Sequence, residues 1–121
     1  MQWLLYGPMT AAVSDALVRH GHKTHLPAEL ELPDGAAAAD VLAAAEKRQW
    51  DILTTDAAIS VAPFNSDKWF HRSIVYLHFE GGDVEQDDGV DRLFARYKRL
   101  SPGRLYTVTA SRVKVRQLPG K

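Results

Sequence analysis

Short apolar segments alternate with segments of helical character through most of the chain, and this alternation constrains the fold more than any other feature. Each apolar segment has the length of a single strand. The four predicted strands are Trp3–Tyr6, Lys23–Leu26, Ile52–Thr55 and Ser73–Phe79. Strands separated by helices favour parallel pairing through right-handed crossovers. We therefore expect an α/β fold with a mainly parallel central sheet, in which Trp3–Tyr6, Ile52–Thr55 and Ile74–Leu77 are buried.

The first helices are bounded by capping residues and glycines. Thr10 is suited to cap a first helix, and Gly21 is placed to end it. A second helix is predicted over Ala36–Gln49, which is rich in alanine, with Asp34 as its candidate cap. For Ala57–Arg72 we expect a short helix followed by a packed loop.

The last part of the chain combines a helix with two strands. A helix is predicted to begin near Asp88, with Asp91 in a capping position, and its apolar stripe continues to Leu100. Two strands follow, Leu105–Thr109 and Arg112–Gln117, with only a tight connection between them. They predict a C-terminal antiparallel hairpin at one edge of the sheet.

The length and the absence of cysteine narrow the class of protein. With 121 residues, the chain has the size of one domain, which we expect to span residues 1–121. The sequence contains no cysteine, so disulfides, thiolate metal sites and cysteine nucleophiles are excluded. No apolar run has the length of a membrane span. These features predict a cytoplasmic protein with no membrane partner.

Charge is unevenly distributed in a chain whose net charge is zero. The segment Glu80–Asp91 holds six acidic residues and no basic one, whereas Arg92–Lys121 holds nine basic residues and no acidic one. A basic third can attract phosphate groups even in a neutral protein, which makes RNA a candidate partner. The candidate nucleic-acid-binding residues are three on one side of the last helix and three on one strand face: Arg92, Arg96, Arg99, Arg112, Lys114 and Arg116.

The same charges have simpler interpretations. The arginines of a helix often form a solvated face, and charges on an edge strand protect it from aggregation. Alternatively, the acidic segment Glu80–Asp91 pairs with the basic third, either within the protein or across a homodimer.

Two aspartates are candidate catalytic and metal-binding residues. Asp56 directly follows a predicted strand, and Asp40 lies in the preceding helix beside the apolar Val41. Ligands of open α/β sheets bind beyond the carboxyl ends of the strands, where two carboxylates suit a hard cation such as Mg²⁺. The simpler interpretations are that Asp56 caps the next helix and that Asp40 faces solvent. Asp51 is a more distant candidate because it begins the strand that Asp56 follows.

Three histidines, His20, His22 and His25, are close enough in sequence to suggest a zinc site. Their spacing spans a predicted helix end and a turn. A histidine near a helix C-terminus is also stabilised by the helix dipole, and this is the simpler interpretation.

Three stretches of the chain resemble the PIN-like proteins, in particular a short bacterial branch of that family. They are LLYGPMTAAVSDALVRHGHKTH, ADVLAAAEKRQWDILTTD and GRLYTVTASRVKVRQLP. In that branch a first strand ends in an acidic residue and leads into a helix closed by an Arg-Gly-His turn. A helix with an acidic residue before Val-Leu follows, and then a strand ending in Thr-x-Asp. The matching positions here are Leu4–Tyr6, Arg19–His22, Asp40–Leu42 and Thr54–Asp56.

The resemblance implies a three-layer PIN-like fold and a metal-dependent ribonuclease, in which acidic residues hold Mg²⁺ or Mn²⁺. Many relatives are toxins paired with a small antitoxin, so a small antitoxin-like protein is an implied partner. The chain departs from the pattern at Tyr6, Gly7 and Ala58, where relatives carry acidic residues, and retains only Asp40 and Asp56. We therefore expect a depleted metal site with weak or absent cleavage. The alternative is a non-catalytic module that binds RNA or a protein through its basic C-terminal third.

Overall fold

The computed structural model describes residues 1–32, 35–65 and 70–119, and its elements follow the predicted alternation. Two 3₁₀ turns, Pro27–Leu30 and Ala62–Phe64, accompany the regular elements. The strands are β1 (Gln2–Tyr6), β2 (Lys23–His25), β3 (Asp51–Thr54), β4 (Ile74–Leu77), β5 (Arg104–Val108) and β6 (Val113–Gln117). The helices are α1 (Ala11–Arg19), α2 (Ala38–Arg48), α3 (Ala57–Val61) and α4 (Asp83–Arg96).

The strands form one six-stranded sheet in the order β2-β1-β3-β4-β5-β6. All neighbours from β2 to β5 are parallel, and β6 runs antiparallel to β5, with Val113 opposite Val108. The predicted α/β class, the mainly parallel sheet and the C-terminal antiparallel pair are thus confirmed.

Each face of the sheet buries its own core. Trp3, Leu53 and Val75 point to a core completed by α1 and α4, whereas Leu4 and Ile52 point to a core completed by α2 and α3. Successive strand residues face opposite sides, so a strand covered on both faces is apolar throughout. The three segments that were predicted to be buried are buried in the structure, apart from Tyr6, Thr55 and Tyr76, which are half-buried.

One crossover differs in hand from the other three. The connections through α3 and α4 both step along the sheet in the same direction, but α3 covers one face and α4 the other. Direction and face together define the hand of a crossover, so these two have opposite hands. The expectation of uniformly right-handed crossovers is therefore wrong. The exceptional path brings α4 beside α1, where Leu93 and Leu17 share one core.

The last helix begins and ends earlier than predicted. It starts at Asp83, where the Gly82 N–H donates to Glu85 Oε2 at 3.3 Å, so Asp88 and Asp91 lie inside the helix. The Glu85 carboxylate satisfies a free N–H at the helix start, six residues before the predicted capping position of Asp91. At the other end Tyr97 is extended, with φ −127°, and Leu100 is buried outside the helix.

The first helix has the predicted caps, since Thr10 Oγ1 accepts from Ala12 N and Gly21 has φ 85°. The candidate cap Asp34 and residues 66–69 of the expected packed loop lie outside the described residues. Among the described helices, none is long and apolar enough to cross a membrane.

Candidate functional site

The candidate site lies where the strand order reverses. The chain passes from β1 to β2 on one side and then to β3 on the other, and a crevice is expected beyond the carboxyl ends of β1 and β3. Gly7 stands there with φ 105°, and a Cβ on it would lie 2.6 Å from Thr55 Oγ1. That hydroxyl donates to Pro8 O at 2.9 Å. The two loops are therefore in close contact, and only glycine allows this approach.

Asp56 is held in place as a helix cap. Its Oδ1 accepts from Ala58 N at 2.9 Å at the start of α3, and its own N–H donates to Thr54 Oγ1 at 2.9 Å. Its side chain therefore lies at the carboxyl end of β3, as predicted, but one oxygen already serves the backbone.

Asp40 reaches the same edge of the sheet from a different element. It occupies the first turn of α2, which starts at the carboxyl edge because it follows β2, and it is exposed. The helix that carries Asp40 and the helix that Asp56 caps contact each other and pack on the same face of the sheet. Asp51 lies at the opposite edge, at the start of β3.

The carboxylates at this edge are too few for the two-ion centre that the resemblance implies. Within the described residues, no group of three or more His, Asp or Glu side chains is arranged to hold a metal ion. Tyr6 ends β1 and Ala58 stands two residues after Asp56, and neither a neutral phenol nor a methyl group replaces a carboxylate as ligand to a hard cation. Two carboxylates cannot neutralise two divalent ions, so the residues do not fit a two-ion centre.

A cavity of about 540 Å³ adjoins the crevice between the end of β1, the start of α1 and the turn after β2. Two of its hydroxyl groups pair with each other, Ser14 Oγ and Thr24 Oγ1 at 3.0 Å, and the Thr10 hydroxyl donates to Gln86 Oε1 at 3.2 Å. Glu29 accepts from Leu26 N at 2.7 Å and lies 3.1 Å from His25 Nδ1, and these hydrogen bonds lower the pKa of Glu29. The polar groups of this cavity are already satisfied.

The three neighbouring histidines have different hydrogen-bond partners, although the rings of His20 and His22 both lie against Phe94, with centroids 4.8 and 4.9 Å away. His20 Nε2 lies 2.9 Å from Asp91 Oδ1, and His22 Nδ1 accepts from the indole N–H of Trp3 at 3.1 Å. His25 stacks on Trp50 with ring centroids 3.8 Å apart. Within the described residues these histidines do not belong to a group that could hold a metal ion, so the zinc interpretation is not supported.

The six candidate basic residues do not form one surface. Arg92, Arg96 and Arg99 belong to α4 and its extension, on the face that α1 also covers, although Arg99 lies beyond the helix end. Lys114 and Arg116 alternate with Val113, which packs beneath α1 and α4, so they project from the opposite face. Arg112 is exposed just before β6.

Two of these arginines are engaged within the protein. Arg92 Nη1 donates to Thr109 O at 2.8 Å, which ties α4 to the β5–β6 connection. The Arg116 guanidinium lies 3.9 Å from the centroid of the Phe64 ring. Arg96 and Lys114 are exposed.

Among the described residues, two aspartates of the acidic segment pair with the end of α1 rather than with the basic third. Arg19 Nη2 lies 2.6 Å from Asp87 Oδ1 and 3.1 Å from Asp91 Oδ1. The hydrogen bond from His20, followed by that from Arg19, lowers the pKa of Asp91, and Asp87 raises the pKa of Arg19. Within the described residues, the ion-pair partners of Asp87 and Asp91 therefore come from the end of α1, the helix against which α4 packs.

Sequence reasoning missed a charged pair at the amino edge of the sheet. Asp51 is 1% exposed, and its carboxylate accepts from Ser73 N at 2.7 Å and from Arg72 Nη2 at 3.1 Å. The sequence did contain a signal for this pair: a carboxylate at the start of the apolar strand β3 and an arginine just before β4. Parallel neighbouring strands bring these two positions together.

Comparisons with protein-family models, curated proteins and solved structures found no significant match.

Proposed function

We propose that the chain is a PIN-like domain whose metal-dependent ribonuclease chemistry is weakened or lost. Support comes from the quoted motifs and from a mainly parallel sheet with helices on both faces, which is the architecture that the resemblance implies. The position of Asp56 carries the proposal. It stands at the switch point of the sheet, where one carboxylate oxygen caps α3 and Ala58 replaces a second acidic residue.

A divalent ion bound at this edge would supply a Lewis acid and an activated water for attack on a phosphodiester. Asp56, with Asp40 as the second ligand, is the residue that would hold Mg²⁺ or Mn²⁺ in this proposal. Mg²⁺ gives up its water reluctantly, so two carboxylates, one of them engaged in a cap, hold it weakly. We expect cleavage to be very low.

The test compares variants that keep the cap and remove the charge. Asn is as good an N-cap as Asp, so Asp56→Asn preserves α3 while it removes a metal ligand. Cleavage of a labelled single-stranded RNA is measured with Mg²⁺ or Mn²⁺ for the wild type, Asp56→Asn and Asp40→Asn. Asp15→Asn, at an exposed position of α1, is the matched control. We expect trace cleavage that falls further in Asp56→Asn and is unchanged in the control. Robust cleavage that survives Asp56→Asn contradicts the proposal.

The second candidate function is RNA binding without catalysis. The observation that favours it is the exposed position of Lys114 and Arg116 on one face of the edge strand β6. Phosphate contacts of this kind weaken steeply with salt and carry little base preference. A small antitoxin-like protein or a second copy of the chain remains the alternative partner for the same face.

Two double variants separate the two basic groups. Lys114→Ala/Arg116→Ala is expected to weaken binding of a single-stranded RNA at low salt. Arg96→Ala/Arg99→Ala is the matched pair on the other face of the sheet. If both pairs weaken binding equally, or if no RNA binds at low salt, β6 is not the RNA-binding face.

A further inference from the structure

A cavity of about 430 Å³ opens at the amino edge of the sheet, on the side opposite Asp56. Three cationic residues from separate parts of the chain line it: Lys23 at the start of β2, Arg48 at the end of α2 and Arg72 in the segment before β4. The amide side chains of Gln2 and Gln49 also line it, and no acidic residue is among its described lining residues.

Arg72 is the anchor of this cavity. The buried Asp51 carboxylate accepts from Arg72 Nη2 at 3.1 Å and from Ser73 N at 2.7 Å, so the guanidinium is held on a rigid strand end. One third of the Arg72 side chain is exposed. Its Nε is buried and has no hydrogen-bond partner among the described residues. A buried donor without a partner is uncommon, and it leaves this guanidinium incompletely satisfied.

The ordinary roles of surface cations explain only part of this arrangement. Lys47 and Arg48 both stand in the last turn of α2, where a positive charge complements the helix dipole. This accounts for a charge at the helix end. The Arg48 guanidinium also lies 5.2 Å from the centroid of the Trp50 ring, and Arg72 pairs with Asp51. Neither the helix end nor these contacts account for the convergence of Lys23, Arg48 and Arg72 on one cavity.

We propose that this cavity binds a small phosphate anion, either free phosphate or the monoester of a small metabolite. A phosphate group carries a charge of about −1.5 to −2 at neutral pH and offers three acceptor oxygens. The planar donor forks of Arg48 and Arg72 match those oxygens, and Lys23 adds a compact positive charge. The cavity lies at the other edge of the sheet from Asp56 and Asp40, so this proposal does not depend on nuclease ancestry.

The experiment follows backbone amide shifts by NMR during titration with sodium phosphate, at an ionic strength held constant with sodium chloride. Saturable shifts are expected for the amides of Gly21, Gln49 and Arg72, which lie at the cavity. Uridine 5′-monophosphate is titrated in parallel, with uridine as the phosphate-free control. Tighter binding of the monophosphate identifies an ester as the ligand, and equal or weaker binding identifies free phosphate.

The variants compare neighbouring cations that differ in their position relative to the cavity. Arg48→Ala and Lys23→Ala each weaken phosphate binding by roughly tenfold or more, because each removes a charged hydrogen-bond donor. Lys47→Ala removes the same charge one residue away and does not line the cavity, so its binding stays within about twofold of the wild type. None of these changes touches the Asp51–Arg72 pair, so folding is preserved.

Three results overturn the proposal. The first is the absence of saturable shifts at the cavity amides. The second is equal weakening in Lys47→Ala, which reports attraction to the helix end alone. The third is an equal response of the cavity amides to uridine.

Discussion

Strand β3 begins and ends beside an aspartate, and the two carboxylates have opposite environments. Asp56, at the carboxyl edge, is half-buried and caps a short helix. Asp51, at the amino edge, is almost fully buried and holds Arg72 against the cationic cavity. Topology makes the carboxyl edge the expected ligand site, yet the more organised group of charges lies at the amino edge. The comparison teaches that strand order locates a site, whereas hydrogen-bond partners decide which side chains are available there.

The largest expected effect tests the amino edge. Asp51→Ala leaves Arg72 and the Ser73 N–H without their acceptor. We expect the free energy of unfolding to fall by about 2 to 4 kcal/mol. This is less than for a fully buried pair, because Arg72 is partly exposed. Urea denaturation measures it. Asp51→Asn retains an acceptor for Ser73 N and should cost less. A wild-type midpoint in Asp51→Ala would show that this pair contributes nothing to stability.

The next effect tests the close contact at the carboxyl edge. Gly7→Ala combines a positive φ with a Cβ 2.6 Å from Thr55 Oγ1, and we expect a loss of about 1 to 3 kcal/mol in the free energy of unfolding. Gly103→Ala, at the amino edge, is the matched control because its φ is 79° and no atom lies within 4 Å of the added Cβ. Equal losses in the two variants would mean that backbone strain, and not the contact, determines the cost.

A smaller effect separates the structural from the chemical role of Asp56. Asp56→Ala removes the cap of α3 and should lower the free energy of unfolding by about 1 kcal/mol, whereas Asp56→Asn should retain it. Thermal or urea unfolding of both variants checks this. If Asp56→Ala and Asp56→Asn are equally destabilised, the charge of Asp56 matters more than its hydrogen bond to Ala58.

The smallest effect is the pH dependence that His22 contributes at the amino edge. Burial, together with nearby positive charge, lowers the pKa of His22 in the folded state. The unfolded chain therefore takes up a proton first as the pH falls through about 6.5, and stability that is present above this pH is lost below it.

The variant His22→Gln keeps an acceptor for the Trp3 indole and cannot titrate. We expect the difference in urea midpoint between pH 7.5 and pH 5.5 to be smaller in this variant than in the wild type. An unchanged difference would assign the pH dependence to other groups.

Much of the fold follows from local patterns. Thr10, Gly21 and the apolar runs of β1, β3 and β4 are signals that act within a few residues, and the structure agrees with them. The start of α4 does not follow, because Glu85 and Asp91, six residues apart, offer similar capping chemistry and sequence alone cannot choose between them.

The sequence predicted where the candidate site lies, but it did not predict the contacts that its residues make. The carboxyl-edge positions of Asp56 and Asp40 follow from strand order, and the structure places both there. The bond from Ala58 to Asp56 and the separation of Arg96 from Lys114 depend on contacts that the one-dimensional pattern does not contain.

The sequence by itself determined the α/β class, the parallel core strands and the C-terminal hairpin, because hydrophobic periodicity and short turns act locally. Only the tertiary structure decided which face of the sheet α4 covers. That choice places Asp87 and Asp91 against α1 and puts the arginines of α4 on the opposite face from Lys114 and Arg116. The physical reason is that an amphipathic helix can bury its apolar stripe on either face of a sheet, and only the competition among all helices for that area selects one.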